Sequence, residues 1–134
     1  MSAQRMNDRL GWSPSPSGAI LYDYVMVFNK HSDDGGKANI MYSSGNIVEG
    51  MLYSVYEEDL LILDKYEGVA TEQYKRYDIK ARDNNKKSIA AVAYKALNTG
   101  KVSAPTEEYL NYILEGKEFL SLGYFTKLKS TETI

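Results

Sequence analysis

Leu63-Asp64-Lys65-Tyr66-Glu67-Gly68-Val69 closes an apolar run, Leu60-Leu61-Ile62-Leu63, that follows three acids, Glu57, Glu58 and Asp59. The pattern predicts a short helix over 57–67. Acids in the first turn suit the positive end of its dipole, and Gly68 stands where a left-handed cap is wanted. On such a helix Leu60, Leu63 and Glu67 share one face, which must turn toward the core because nothing else in the segment makes a stripe. Glu67 is then aimed inward, or at the rim of a pocket, from the negative end of a helix. Burial and the dipole both disfavour its charged form, and a carboxylate held nearer neutrality suits a general acid/base. The competing reading is a last-turn glutamate that leans into water, paired with Lys65 or a neighbouring strand.

The rest of the chain builds outward from this helix. A segment over 2–10 is expected to be helical, capped by Ser2, with Met6 and Leu10 on one face and Arg5 and Arg9 on another. Two prolines and a glycine make 12–18 a loop. Residues 19–29 read as a strand that is apolar in both alternating sets, hence buried on both faces. The polar run 30–36 is a turn, followed by strands over 37–42 and 46–55 that meet in a hairpin at Ser43-Ser44-Gly45. Beyond Gly68 a second hairpin is expected, roughly 74–81 with 88–96, across Asp83-Asn84-Asn85. Thr106 is a suitable N-cap for a helix reaching 115 or 116, a shorter helical segment runs toward Leu128, and the tail 130–134 is expected to fray. Five strands with singly inserted helices predict an α+β fold, a small mixed β-barrel or strongly curled sheet with flanking helices.

Composition narrows the function. The chain has 134 residues, 43% of them hydrophobic and 25% charged, which predicts one domain spanning 1–134. A net charge of -2 and a pI near 5.4 leave no electrostatic footprint for nucleic acid, so no nucleic-acid partner is expected. No run is long enough to span a membrane, and Arg5, Asp8 and Arg9 occupy the place of a signal peptide's apolar region. The absence of cysteine excludes thiolate chemistry and disulfides and fits the cytosol, so a cytoplasmic location is expected. The lone His31 sits in a polar loop, and Asp33 and Asp34 lack the spacing of a calcium loop, so no metal site is expected.

The order of short motifs resembles that of the γ-glutamylcyclotransferase-like proteins over residues 1 to about 128. The motifs are Met1-Ser2-Ala3-Gln4-Arg5-Met6 with Arg9, Gly36-Lys37-Ala38-Asn39-Ile40, Val48-Glu49-Gly50-Met51-Leu52-Tyr53, Leu63-Asp64 with Glu67-Gly68-Val69, Tyr74, Tyr94, and Pro105-Thr106 with Tyr109-Leu110. Each is weak alone; their order and spacing are specific. The resemblance implies a small mixed barrel with flanking helices. It implies cleavage of γ-glutamyl amides or peptides to 5-oxoproline and a free amine, with no metal or organic cofactor. It assigns the acid/base role to Glu67 and makes Tyr74, Tyr94 and Tyr109 candidates for lining the substrate pocket. With twelve tyrosines in the chain, the bland reading for each is a core or rim aromatic.

One feature of that family is missing. Its members begin with a strand ending in Tyr-Gly-Ser-Asn or a close variant, whose backbone N–H groups hold the glutamyl part and the developing oxyanion, and here the match starts after it, at Met1. Three explanations are open. The chain begins at an internal methionine of a longer protein; it is a variant that kept the fold as a non-catalytic small-ligand binding or interaction module; or Gly35-Gly36 or Ser43-Ser44-Gly45 supplies the cradle. Losing oxyanion donors typically costs about a hundred- to a thousand-fold in rate. Losing a strand exposes a sheet edge, which predicts a homodimer or poor solubility.

Overall fold

A computed structural model of the chain describes residues 2–134. Four helices and four strands follow in the order α1 (Ala3–Leu10), β1 (Pro16–Lys30), β2 (Lys37–Tyr53), α2 (Glu57–Glu67), β3 (Tyr74–Arg82), β4 (Ser88–Ala96), α3 (Glu107–Leu114) and α4 (Leu122–Lys129). Single 3-10 turns lie at Val69–Thr71 and Lys117–Phe119. Helices α1, α3 and α4 start where short polar side chains cap them. The Oγ of Ser2 accepts from Arg5 N–H, that of Thr106 from Tyr109 N–H, and that of Ser121 from Tyr124 N–H.

The strands form one antiparallel sheet in the order β2-β1-β3-β4. The expected α+β class and strong curl are present; the mixed, closed barrel is not. Each strand meets its sequence neighbour across a short connection that reverses the chain, which makes β1–β2 and β3–β4 antiparallel. Between the two hairpins, among the described residues, only Ile20 and Arg82 pair. The curl nevertheless brings β2 back toward β4, where Ala96 N–H donates to Asn39 Oδ1 at 2.8 Å and Asn39 Nδ2 donates to Asn29 Oδ1 at 3.1 Å. Side chains, rather than a ladder, close the sheet at this end.

A second correction concerns 43–45. No hairpin forms there; β2 continues to Tyr53 because β1 is long enough to pair with it on both sides of the irregularity. The register runs from Tyr22↔Ile47 to Tyr24↔Tyr42, so Ser43–Asn46 bulges opposite Asp23. Both sides take a left-handed conformation, Asp23 at φ 65° and Gly45 at φ 84°, and Asp23 Oδ1 accepts from Gly45 N–H at 3.0 Å. The C-terminal tail is also better held than expected, since Ile134 N–H donates to the Pro105 carbonyl at 3.1 Å.

Candidate functional site

Helix α2 carries the site. Asp59 is buried and accepts from Tyr56 N–H at 2.9 Å, tying off the first turn. Gly68, at φ 68°, caps the other end, its N–H reaching Lys65 O at 3.2 Å. Leu63 is buried, as the spacing predicts, and Glu67 lies one turn beyond it with 18% of its side chain exposed. Glu67 therefore faces inward and does not lean into water, while Lys65 and Tyr66 of the same turn are exposed.

Glu67 is paired, but with a residue the sequence argument did not single out for the site. Arg9 Nη1 lies 3.2 Å from Glu67 Oε1, and the Arg9 side chain is 14% exposed. The guanidinium also covers the Tyr66 ring at 4.9 Å from its centroid. The C-terminal end of α1 is fastened to both ends of α2, since Trp12 Nε1 donates to Asp59 Oδ1 at 3.1 Å. On its other flank Arg5 lies over the Tyr112 ring of α3. The sequence signals for Arg9 were its i,i+4 spacing from Arg5 and its place in the first of the resemblance motifs, neither of which points to Glu67.

Each of the three tyrosines feels the charge of this carboxylate. Burial raises the phenol pKa of Tyr74, with added contributions from neighbouring Tyr109 and from the Glu67 charge. Burial raises that of Tyr94 too, followed by its hydrogen bond to Asp64, with Glu67 contributing last. In Tyr109 burial again leads, opposed by a hydrogen bond from Ala38, and Glu67 raises it further. All three hydroxyls thus sit within the field of Glu67 and stay protonated at neutral pH.

Their partners separate their roles. Tyr74 donates to the Ala38 carbonyl at 3.1 Å, and Tyr109 accepts from Ala38 N–H at 3.0 Å, so two phenols grip one residue, Ala38, at the start of β2. The Tyr109 O–H proton is left over, since its one hydrogen bond is as acceptor. Tyr94 donates to Asp64 Oδ1 at 2.6 Å. Asp64 is also held by Arg76 in a two-point contact, Nε to Oδ1 and Nη2 to Oδ2, both 2.8 Å. That guanidinium lowers the Asp64 pKa, and the Tyr94 hydroxyl lowers it further. The two acids of α2's last turns are thus divided, Asp64 bonded on both oxygens and Glu67 hydrogen-bonded on one.

Chemically, the arrangement offers one partly buried carboxylate, one guanidinium and a phenolic donor around the end of a helix. Among the described residues no group of three or more histidine, aspartate or glutamate side chains is placed to hold a metal ion, and no helix is long and apolar enough to cross a membrane. His31 shares no contact with this site.

Comparisons with known proteins bear on the whole chain. A family model described as the AIG2-like family matches residues 47–128, a span that includes Glu67 and all three tyrosines. The chain is 32% identical over 124 residues to the gamma-glutamylcyclotransferase of Bos taurus; the match covers 87% of this chain and 65% of that protein. A solved structure named gamma-glutamyl cyclotransferase superposes with a TM-score of 0.91 at 28% identity, covering 99% of this chain and 83% of the other. An uncharacterized protein from Homo sapiens superposes at 0.87 with 29% identity, over 98% and 82% of the two chains. YkqA of Bacillus subtilis, at 24% identity, shares the fold with a TM-score of 0.82 over 96% of this chain and 48% of that one.

Proposed function

The chain belongs to the AIG2-like family, and from that premise we propose that it converts γ-glutamyl amides or peptides into 5-oxoproline and a free amine. The observation that carries this reading is the placement of Glu67. Its carboxylate is mostly buried at a helix end, reachable from solvent, with one oxygen free of hydrogen bonds.

The reaction needs one such group. The substrate's α-ammonium must lose a proton before its nitrogen attacks the γ-carbonyl carbon. A ring C–N bond forms, and the bond from that carbon to the departing nitrogen breaks. Two protons leave the α-nitrogen and two arrive on the amine, which departs as an ammonium ion; Glu67 relays them in turn. Holding both ends of the substrate in cyclising geometry supplies much of the remaining acceleration. Tyr74 fixes the wall by gripping Ala38, Tyr109 keeps a proton to donate, and Tyr94 fixes the helix through Asp64. No metal or organic cofactor enters this scheme, and a cytoplasmic setting is part of the reading.

A second reading is favoured by the same hydrogen bonds. The hydroxyl protons of Tyr74 and Tyr94 go to the protein itself, as in a module that binds a small ligand without turning it over. Release of 5-oxoproline from a panel of γ-glutamyl amino acids and amines decides between them. Turnover that falls at least about a hundred-fold in Glu67→Gln is the expected result. Equal turnover in that variant would overturn the role of Glu67, and binding without turnover would favour the module.

A further inference from the structure

We infer that Arg9 and Glu67 together form the recognition site for the substrate's α-amino-acid head group, with Arg9 taking the α-carboxylate and determining specificity for γ-glutamyl over acyl groups that lack it. The inference rests on the reading of the chain as acting on γ-glutamyl compounds, and adds to it a residue and a reason for the substrate class.

The substrate's own geometry sets the requirement. If Glu67 takes a proton from the α-ammonium, that ammonium must sit beside it. The α-carboxylate hangs from the same carbon, with its nearer oxygen about 3 Å from the nitrogen. A cation is therefore wanted about one contact distance from Glu67. Arg9 Nη1 stands 3.2 Å from Glu67 Oε1. The ion pair is the mirror of the zwitterion, acid against ammonium and guanidinium against carboxylate.

The pair is also incompletely used. Arg9 makes one hydrogen bond, through Nη1, and its remaining N–H groups have no hydrogen-bond partner among the described residues. Glu67 uses Oε1 alone. Asp64 and Arg76 show what a finished pair looks like in this same fold, with two parallel contacts of 2.8 Å and a third from Tyr94 at 2.6 Å. Arg9 is fixed by other means. Tyr66 lies under its guanidinium, and α1 is anchored by the Trp12–Asp59 hydrogen bond. A planar fork held in place with donors to spare suits two-point binding of a carboxylate. Each charge lies mostly out of water and is paired with the other. The incoming head group exchanges that single contact for two, without leaving a buried charge alone.

The test compares a γ-glutamyl amide with the same amide of 4-aminobutyrate, which lacks only the α-carboxylate and would close to 2-pyrrolidinone. Wild type is expected to prefer the γ-glutamyl amide. Arg9→Gln should raise its KM roughly ten- to a hundred-fold, the range for a lost charge-assisted hydrogen bond, and should cost the analogue clearly less, since there the variant removes only the partner of Glu67. Arg9→Lys should recover part of the loss. Equal damage to both substrates would mean that Arg9 acts through Glu67 or the fold and not on the α-carboxylate, and no effect on either would remove it from the site; both overturn the inference. If wild type releases no 5-oxoproline, the proposed reaction fails, and calorimetry with L-glutamine and 4-aminobutyramide still judges Arg9. Binding of L-glutamine that is lost in Arg9→Gln upholds the inference. Equal binding by the two proteins, or none by wild type, overturns it.

Discussion

Two carboxylates three residues apart on α2 have opposite surroundings, and the difference is testable through Asp64. Its oxygens receive Arg76 twice and the Tyr94 hydroxyl once, joining α2 to β3 and β4. Arg76 holds its pKa below the ordinary aspartate value. A carboxyl whose pKa is depressed by folding adds stability that is fully present above the unfolded value and fades as pH falls through the folded one. Thermal melts of the wild type should therefore lose stability on acidification below the ordinary aspartate range. Asp64→Asn should be less stable at neutral pH by about 1–3 kcal/mol, the scale of a lost charge-assisted hydrogen bond. Its deficit should shrink as the wild-type carboxylate is protonated; a deficit constant with pH would show that the ion pair contributes nothing. The sequence placed Glu67 correctly because helix spacing and the Gly68 cap are local. It could not supply Arg9, 58 residues away, because that partner depends on how α1 packs, and the bare carboxylate of the sequence argument is an ion pair in the fold.

Elements were legible wherever the signal was local. Helices α2 and α3 and the β3–β4 hairpin follow from capping residues, first-turn acids and a polar turn. The continuous β2 did not, since Ser43-Ser44-Gly45 is a genuine turn signal that lost to fifteen residues of β1 waiting alongside. The approach to β2 makes a sharper prediction. Gly36 N–H donates to Ala104 O at 3.0 Å, and the loop presses onto 103–105. A Cβ at Gly36 would overlap the Ser103 carbonyl oxygen and stand 2.9 Å from that of Phe28. Both obstacles are backbone and cannot turn aside. Gly36→Ala should cost about 1–3 kcal/mol, as overpacking does. Gly50→Ala, within β2 and with nothing inside 4 Å of the new carbon, is the control and should leave the denaturation midpoint nearly unchanged. Similar midpoints for the two variants would mean that the loop yields.

At the scale of the whole molecule the sheet is open. The two hairpins share one paired position, Ile20 with Arg82, and whether a curled sheet closes is a long-range property that no local pattern reports. The accessible surface is 8479 Å², against about 7,100 Å² expected for a folded chain of this mass. The excess exceeds what each partner buries in a standard protein–protein interface, roughly 800 Å². Part of the exposed apolar surface lies on β2, whose outer edge has no strand beside it over most of its length: Tyr42 is 69% exposed, with Met41 and Ile47 also open to solvent. Such an edge is a template for another chain unless a charge blocks it. The chain should therefore self-associate at high concentration, through β2. Tyr42→Lys should return it to a monomer, because two copies meeting edge to edge would bring the new lysines together. Tyr42 packs edge-on against Tyr24, 6.0 Å between ring centroids, so the variant gives up that contact, and its far-UV circular dichroism must match the wild type for the comparison to count. Light scattering after size-exclusion chromatography reads the result. A wild type that stays monomeric at high concentration would show that the open sheet is tolerated in water, and a Tyr42→Lys protein that still associates would move the interface away from β2, to the β1 and β3 edges.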